Sequence, residues 1–254
     1  MDLFRFDNLA QVPGIAHGIS TRSGGVSQGR CESLNVSYSV GDTRENVDEN
    51  IRRVSTALGS RREDLFSAYQ VHGRDVTIVE PDRSAEPRPR CDVLVTSSAA
   101  RTLMLRYADC TPILFVDPVQ KAVAVAHAGW RGSALRTASA AVVALNRAFD
   151  SRPSDLMAGI GPAIGPCCYE VGNDVRLAFA DRPWAFVHPI DGGKPRLDLW
   201  EANRQALVES GVPNENIELA GTCTRCHSAE YFSHRANGGQ PAGRFAAVIS
   251  LRPV

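Results

Sequence analysis

Two apolar runs that end in chemically reactive residues constrain the fold of this chain most strongly. Residues 101–107 lead into Cys110, and residues 121–126 lead into His127. Each run predicts a buried strand, and each reactive residue falls where the strand gives way to a loop. A shorter apolar run ends in the same way at His72. Since α/β proteins place chemistry at such strand ends, the pattern predicts an α/β fold whose site joins His72, Cys110 and His127.

The remaining elements alternate between helices and strands along the chain. Apolar residues at helical spacing predict helices over 43–58, 133–149 and 199–210. Asp42 and Glu45 have capping-box spacing for the first of these helices, and its end is predicted just before a glycine. Strands are predicted for the other apolar runs: 15–20, 33–42, 65–71, 75–80, 91–96, 112–116, 156–158, 217–220 and 244–251.

Length and charge restrict the class of protein. With 254 residues, residues 1–254 are expected to form a single domain, although length alone also allows two smaller ones. The 28 basic and 28 acidic residues give no net charge, which argues against nucleic acid or an anionic membrane as the main partner. The sequence shows no signal peptide and no apolar run of the roughly 18 residues that span a membrane. A cytoplasmic location is therefore expected.

The chemistry of the three converging residues predicts a metal site. Two neutral imidazoles and a thiolate are a typical zinc ligand set, and three protein ligands leave a fourth position open, as in catalytic zinc sites. The same set also binds copper. However, Met104 lies too far from Cys110 to be an axial ligand, and the sequence has no His-x-His pair. Spacing alone leaves open that the three residues are separate.

Cysteine chemistry offers a second interpretation. Cys110 is a candidate nucleophile, with His127 as its base and Asp109 or another polar group to orient the imidazole. Elsewhere, Cys223-x-x-Cys226-His227 has the spacing of covalent haem attachment, but that chemistry belongs to exported proteins. Cys223 and Cys226 are therefore interpreted as structural cysteines near the site, and the sequence assigns no role to the adjacent Cys167 and Cys168.

Eight short motifs occur in a fixed order along the chain. Together they resemble the YfiH family, whose members are also called laccase-domain or polyphenol-oxidase-like proteins. The resemblance covers the chain from about residue 14 to its C-terminus. The motifs begin at the residues Thr21 (Thr-Arg-x-Gly-Gly-Val-Ser), Ser33 (Ser-Leu-Asn), Val40 (Val-Gly-Asp), Gln70 (Gln-Val-His-Gly), Ala108 (Ala-Asp-Cys), His127 (His-Ala-Gly-Trp-Arg-Gly), Gly161 (Gly-Pro-Ala-Ile-Gly-Pro) and Phe232 (Phe-Ser-x-Arg).

The resemblance implies both a fold and a function. The fold is one α/β (α+β) domain with mixed β-sheets sandwiched between helices, and Zn²⁺ is held by His72, Cys110 and His127. The implied activities are phosphorolysis of adenosine, inosine and S-methyl-5′-thioadenosine, and deamination of adenosine. Copper-dependent (Cu²⁺) phenol oxidation and editing of peptidoglycan precursors by a Cys-His hydrolase are the alternatives. The expected partners are purine nucleosides and phosphate, for a monomer or weak dimer.

Residue roles are predicted around this centre from their chemistry. Arginine binds phosphate in a bidentate manner, so Arg22 and Arg131 are predicted to position it. Tyr169 or Phe232 is predicted to stack on the purine. Asp109 and Glu170 are the candidate proton donors. The family motifs add Asn35 and Arg235 to the predicted substrate-binding residues.

Overall fold

The computed structural model describes residues 3–187 and 194–252. Within these ranges, no helix is long and apolar enough to cross a membrane. The helices are α1 (Asp7–Ala10), α2 (Arg44–Leu58), α3 (Trp130–Ala134), α4 (Thr137–Phe149), α5 (Asn173–Ala178) and α6 (Leu199–Glu209). The strands are β1 (Leu3–Phe4), β2 (Ile15–Ser20), β3 (Leu65–Ser67), β4 (Val76–Ile78), β5 (Val93–Thr96), β6 (Thr102–Tyr107), β7 (Thr111–Asp117), β8 (Ala122–Ala128), β9 (Met157–Ile160), β10 (Phe186–Val187), β11 (Arg196–Leu197), β12 (Ile217–Leu219) and β13 (Phe245–Leu251).

Two mixed sheets form the centre of the molecule. One has five strands in the order β1-β2-β13-β6-β3, and the other has six in the order β12-β9-β7-β8-β5-β4. β3 runs parallel to β6, and β4 runs parallel to β5, whereas β13 is antiparallel to both of its neighbours. The strands β10 and β11 form a separate small ribbon. The mixed α/β architecture predicted from the sequence is confirmed.

Three apolar layers hold the sheets and helices together. The first lies between the two sheets and includes Phe66, Leu114 and Ile249. The second joins the six-stranded sheet to α4 and α6, and the third joins the five-stranded sheet to α2. The two sheets are therefore sandwiched between helices, as expected.

The strand β8 shows how the sequence produces these layers. Side chains alternate between the two faces of a strand. Val123 and Val125 point into the layer between the sheets, whereas the alanines at 122, 124, 126 and 128 face α4. Small side chains on that face allow the helix to pack closely on the sheet. β8 is buried on both faces along its whole length, so its end offers a rigid position for a functional side chain.

Three local predictions are wrong. The segment 33–42 has no strand, because the side chains of Asn35 and Asn50 satisfy its backbone groups in place of a ladder. Thr43, rather than Asp42, caps α2 by accepting from the backbone N–H of residue 46. The helix predicted over 133–149 is two helices, because Arg136 takes a left-handed conformation with φ of 62°.

That break also moves the longer helix away from the site. α4 begins at Thr137, and only the five-residue α3 follows the turn after His127. The Thr137 hydroxyl donates to the carbonyls of Gly132 and Gly73. The dipole of a long helix is therefore not placed directly after His127, as the sequence suggested. Thr137 instead ties this turn to the loop that carries His72.

A candidate metal centre beside an arginine-lined cavity

The structure brings His72, Cys110 and His127 together, as predicted. Their ligand atoms lie within 4.8 Å of one another. His127 lies within β8, Cys110 lies in the turn between β6 and β7, and His72 follows β3. The two imidazole rings meet edge to face, with centroids 4.9 Å apart. We call this group the metal centre.

Backbone geometry shapes the metal centre. His72 and Asp109 have φ values of 60° and 86°, in the left-handed region that few residues other than glycine occupy. Gly129 completes the pocket, since a Cβ there would lie 2.7 Å from the Cys110 Sγ and 3.4 Å from the His72 Cδ2. Any side chain at this position would fill the space between two of the ligands.

A fully buried carboxylate, Asp92, orients both histidines. One of its oxygens lies 2.8 Å from the Nδ1 of His127, and the same oxygen accepts from the backbone N–H of His72 at 3.0 Å. The other oxygen accepts from the N–H groups of Val71 and Gly73. A carboxylate at Nδ1 fixes the tautomer that leaves the Nε2 lone pair of His127 free for a metal. The donor set therefore fits a bound cation.

The charges in the centre favour the thiolate form of Cys110, which is the form that binds a metal. Burial alone would raise the pKa of Cys110, but the imidazoles of His127 and His72 outweigh it and lower that pKa. Burial would likewise lower the pKa of His127, whereas the Cys110 thiolate and Asp92 raise it. Burial would raise the pKa of Asp92, but its hydrogen bonds, led by that with His127, lower it. The Cys110 thiolate and the His127 imidazolium therefore stabilise each other, and a metal that binds the Nε2 of His127 would displace its proton.

The metal centre opens into a cavity of about 1050 Å³. Its walls contain many more cationic than anionic side chains. The acidic residues that line it are Glu86 and Asp109. The lining arginines are Arg88, Arg90, Arg106, Arg131, Arg235 and Arg244. This excess of guanidinium groups predicts an anionic ligand.

Four of the predicted residues outside the metal ligands line this cavity: Asp109, Arg131, Tyr169 and Arg235. The Arg131 guanidinium lies 4.2 Å from the ring centroid of Trp130. Arg235 lies over the Tyr169 ring at 5.2 Å. Asp109 accepts from the Thr224 hydroxyl and from the backbone N–H of Arg235, both at 2.7 Å. Its carboxylate therefore connects two loops of the cavity wall.

The other four predicted substrate residues lie outside the cavity. The Arg22 guanidinium donates to the carbonyls of residues 32 and 228 and covers the buried ring of Phe232. Glu170 pairs with a lysine at 3.3 Å on the surface. Asn35 is buried, and its side-chain oxygen accepts from the N–H of Arg244 at 3.0 Å. Asn35 thus supports a cavity arginine without facing the cavity itself.

The sequence interpretation missed Asp92 and four of the arginines. Asp92 lies just before β5 and meets His127 across 35 positions of the sequence, so no local spacing reveals the pair. The orienting group is Asp92 and not Asp109, the candidate named from the sequence beside an unspecified polar group. Arg88 and Arg90 are in the Pro-rich loop 81–90, where a cluster of arginines was an available signal.

Comparisons with known proteins identify relatives that match nearly the whole chain. Residues 16–252 match the family model described as multi-copper polyphenol oxidoreductase laccase. The chain is 40% identical to the purine nucleoside phosphorylase YlmD of Geobacillus stearothermophilus, over 94% of this chain and 91% of that protein. It is 35% identical to the purine nucleoside phosphorylase YfiH of Escherichia coli, over 95% and 96% of the two chains.

The fold agrees as well. A crystal structure of the hypothetical protein YfiH from Bacillus licheniformis superposes with a TM-score of 0.91 at 35% identity, over 98% of this chain and 99% of that one. The chain belongs to the YfiH family. The name of the family model refers to several copper ions, but the described residues of this YfiH-family chain form only two groups of three or more metal-ligating side chains. One is the metal centre, and the other consists entirely of cysteines.

Proposed function

We propose that this protein is a zinc-dependent purine nucleoside phosphorylase. The observation that carries the proposal is a metal centre with three protein ligands at the base of an arginine-lined cavity. Relatives that share 35–40% of their residues over nearly their whole length bear the name of this activity. Two histidines and one cysteine are a ligand set that suits zinc and leaves a position open.

Phosphorolysis requires that phosphate be held beside the ribose. An oxygen of phosphate bonds to C1′, while the C1′–N9 bond breaks and its electron pair leaves with the purine. The cavity suits the phosphate because its arginines outnumber its acids. Burial and the nearby charge of Arg88 lower the pKa of Arg106 to about 10. Arg106 therefore stays protonated at neutral pH and adds to a field that a phosphate would neutralise.

We assign phosphate binding to Arg131 and Arg244. Arg131 lies four residues after His127 in the chain, and its side chain is exposed to the cavity. The guanidinium of Arg244 is anchored by the carbonyls of residues 242 and 243, at 2.7 and 3.2 Å. Anchored guanidinium groups lose little further freedom when they bind an anion.

The remaining cavity residues orient the nucleoside. Tyr169 presents a half-buried ring to the cavity, and the Arg235 guanidinium lies over this ring, 5.2 Å from its centroid. An aromatic ring in this place suits stacking against a purine. Asp109 positions the loops of Thr224 and Arg235. A zinc ion bound at the centre would polarise an oxygen or lower the pKa of a bound water. Asp92 keeps the His127 imidazole in the orientation that this requires.

We extend the proposal to adenosine, inosine and S-methyl-5′-thioadenosine as substrates, and to deamination of adenosine. A cavity of about 1050 Å³ accommodates a nucleoside together with phosphate. Deamination adds water at C6 and releases ammonia, and a metal held by His72, Cys110 and His127 would supply an activated water for this reaction. Release of ammonia from adenosine, with inosine as the product, tests this part separately.

One observation favours a second function. Without a metal, Cys110, His127 and Asp92 have the arrangement of a cysteine hydrolase triad, with Asp92 at the Nδ1 of the imidazole. A ring nitrogen of the second imidazole, His72, lies within 4.8 Å of the same sulfur. A cysteine nucleophile does not need this second imidazole, whereas a metal uses it as a ligand. We therefore favour the metal-dependent reaction over the hydrolase.

Product analysis tests the proposal. The protein with bound zinc is incubated with inosine in the presence and absence of phosphate. We expect hypoxanthine and ribose 1-phosphate in equal amounts, and only when phosphate is added. Release of hypoxanthine without phosphate would contradict phosphorolysis. Oxygen consumption with phenols after copper loading would support the oxidase, and amide cleavage by the metal-free protein would support the hydrolase.

A further inference from the structure

Four of the seven cysteines come together in a group distinct from the metal centre. Their sulfur atoms all lie within 4.8 Å of one another. The Sγ of Cys226 is 3.6 Å from that of Cys167 and 3.4 Å from that of Cys168. The fourth member is Cys223, which is buried. We call Cys167, Cys168, Cys223 and Cys226 the cysteine cluster.

The spacing of the sulfurs fits one tetrahedral ion. Zinc binds thiolates at about 2.3 Å, so the sulfurs of a tetrahedral site lie about 3.8 Å apart. The observed separations of 3.4 and 3.6 Å, with all four sulfurs inside 4.8 Å, approach this value. A disulfide would instead join two of the four sulfurs at about 2.05 Å and leave the other two unbonded. Here a single sulfur, that of Cys226, lies close to two others, at 3.4 and 3.6 Å.

Two loops from distant parts of the chain build the cluster around Gly165. Its backbone N–H donates to the Sγ of Cys223 at 3.3 Å, and its carbonyl accepts from the N–H of Cys168 at 2.9 Å. Residues 163 and 223 also form a β-bridge. Amide donors to a cysteine sulfur stabilise a thiolate. The Cys223-x-x-Cys226 spacing is typical of half of a structural zinc site.

We propose that the cysteine cluster binds a second zinc ion, which serves the structure and not the reaction. Four thiolates in contact repel one another unless a cation lies between them, and soft thiolate ligands select zinc. Four protein ligands also close the coordination shell, so no position is left for substrate or water. This inference does not depend on the proposed function.

A zinc ion here would hold one wall of the cavity in place. Tyr169, which lines the cavity, directly follows Cys168, and Thr224 directly follows Cys223. The Thr224 hydroxyl donates to Asp109 at 2.7 Å, next to Cys110 of the metal centre. The ion would therefore fasten the loop 165–169 to the loop 222–227, and both loops to the turn that carries Cys110.

Metal analysis of four proteins tests the proposal. Wild type, Cys226→Ser, Cys110→Ala and Cys31→Ala are purified under reducing conditions without chelator, and all transition metals are counted. We expect about two zinc ions per chain in wild type and about one in each of the first two variants. Cys31 is buried outside both groups, so Cys31→Ala should keep the wild-type content.

Three outcomes would overturn the proposal. They are equal zinc content in wild type and Cys226→Ser, a metal other than zinc in the cysteine cluster, and a denatured mass that shows disulfides among these four cysteines. If Cys226→Ser does not fold, Cys110→Ala loaded with Co²⁺ gives the answer. Its spectrum should show thiolate-to-cobalt charge transfer of a tetrahedral site with four sulfurs. A spectrum without that band would reject the site.

Discussion

The metal centre and the cysteine cluster both gather soft ligands from distant segments, but they are built differently. The metal centre places His127 on a strand buried on both faces, supports it with the buried Asp92, and faces the cavity. The cysteine cluster lies on two loops, and Cys167 and Cys226 are exposed. Three ligands leave room for a substrate, whereas four do not. A reactive site needs oriented ligands and an open coordination position, whereas a structural site needs all its positions filled by the protein.

Removing one ligand from the metal centre and one from the cysteine cluster should have the largest effects and should separate the roles of the two sites. His72→Asn retains a residue that tolerates the left-handed backbone but removes the imidazole. We expect inosine phosphorolysis to fall to background while the melting temperature falls less than in Cys226→Ser, because His72 is exposed and the other groups of the metal centre are held in place by Asp92. Cys226→Ser should lower the melting temperature by several degrees, since metal binding stabilises the fold.

Both variants are assayed for turnover and thermal unfolding in parallel. Equal loss of stability in His72→Asn and Cys226→Ser would show that the two regions do not divide reaction and structure between them.

Removing the support of the metal centre should have the next largest effect. Asp92→Asn keeps the shape of the side chain but weakens its hydrogen bonds to His127 and the His72 loop. We expect metal affinity and turnover to fall by roughly 10- to 100-fold. Asp117 is a matched control, because it is also fully buried and accepts from backbone N–H groups, at the end of β7. An equal loss of metal affinity in Asp117→Asn would remove the special role of Asp92.

Substitution of a cavity arginine, which belongs to neither the metal centre nor the cysteine cluster, should have a smaller effect on turnover. Arg131→Ala should raise the KM for phosphate about tenfold, as the loss of a charged hydrogen bond predicts, and leave zinc content unchanged. Arg152, which pairs with Asp155 on the surface, provides the control variant. Phosphate titration at saturating inosine measures the change. An unaltered KM in Arg131→Ala would take Arg131 out of the phosphate site.

The smallest effect at neutral pH is predicted for His17, remote from the ligands of both regions. Burial, assisted by Arg5, lowers the pKa of His17 to about 4, and its Nε2 accepts from the N–H of Phe6 at 2.9 Å. Between pH 6.5 and 4 the unfolded chain binds the proton and the folded chain does not. The free energy of unfolding should therefore decrease as the pH is lowered from 6.5 to 4, by about 3 kcal/mol at most.

Urea unfolding of wild type and His17→Gln isolates this contribution. Glutamine retains an acceptor near the Nε2 position and does not titrate, and both proteins lose metals alike in acid. We expect the difference in free energy between them to change between pH 7 and pH 4. A constant difference would mean that His17 is not held neutral in the fold.

The sequence predicts some features of the fold and of the site well and others poorly, for physical reasons. His72, Cys110 and His127 lie at or after the ends of strands, and this placement was predictable from the apolar runs. Their meeting in space depends on the packing of two sheets, because β3 and β6 belong to the five-stranded sheet and β8 to the six-stranded one. Asp92 acts through a partner 35 residues away, and the cysteine cluster joins two loops whose approach depends on the whole fold. Periodicity predicted α2 but not the left-handed Arg136, because tertiary contacts of Thr137 override a strong helical pattern.

The initial rate of hypoxanthine release from inosine shows most directly whether phosphorolysis takes place at the metal centre. Wild type and Cys110→Ala are compared at equal zinc and saturating phosphate, with Cys31→Ala as the matched cysteine control. We predict phosphate-dependent release by wild type and Cys31→Ala, and none by Cys110→Ala, although that variant keeps the zinc of the cysteine cluster. Release by Cys110→Ala at the wild-type rate would contradict a reaction at the metal centre.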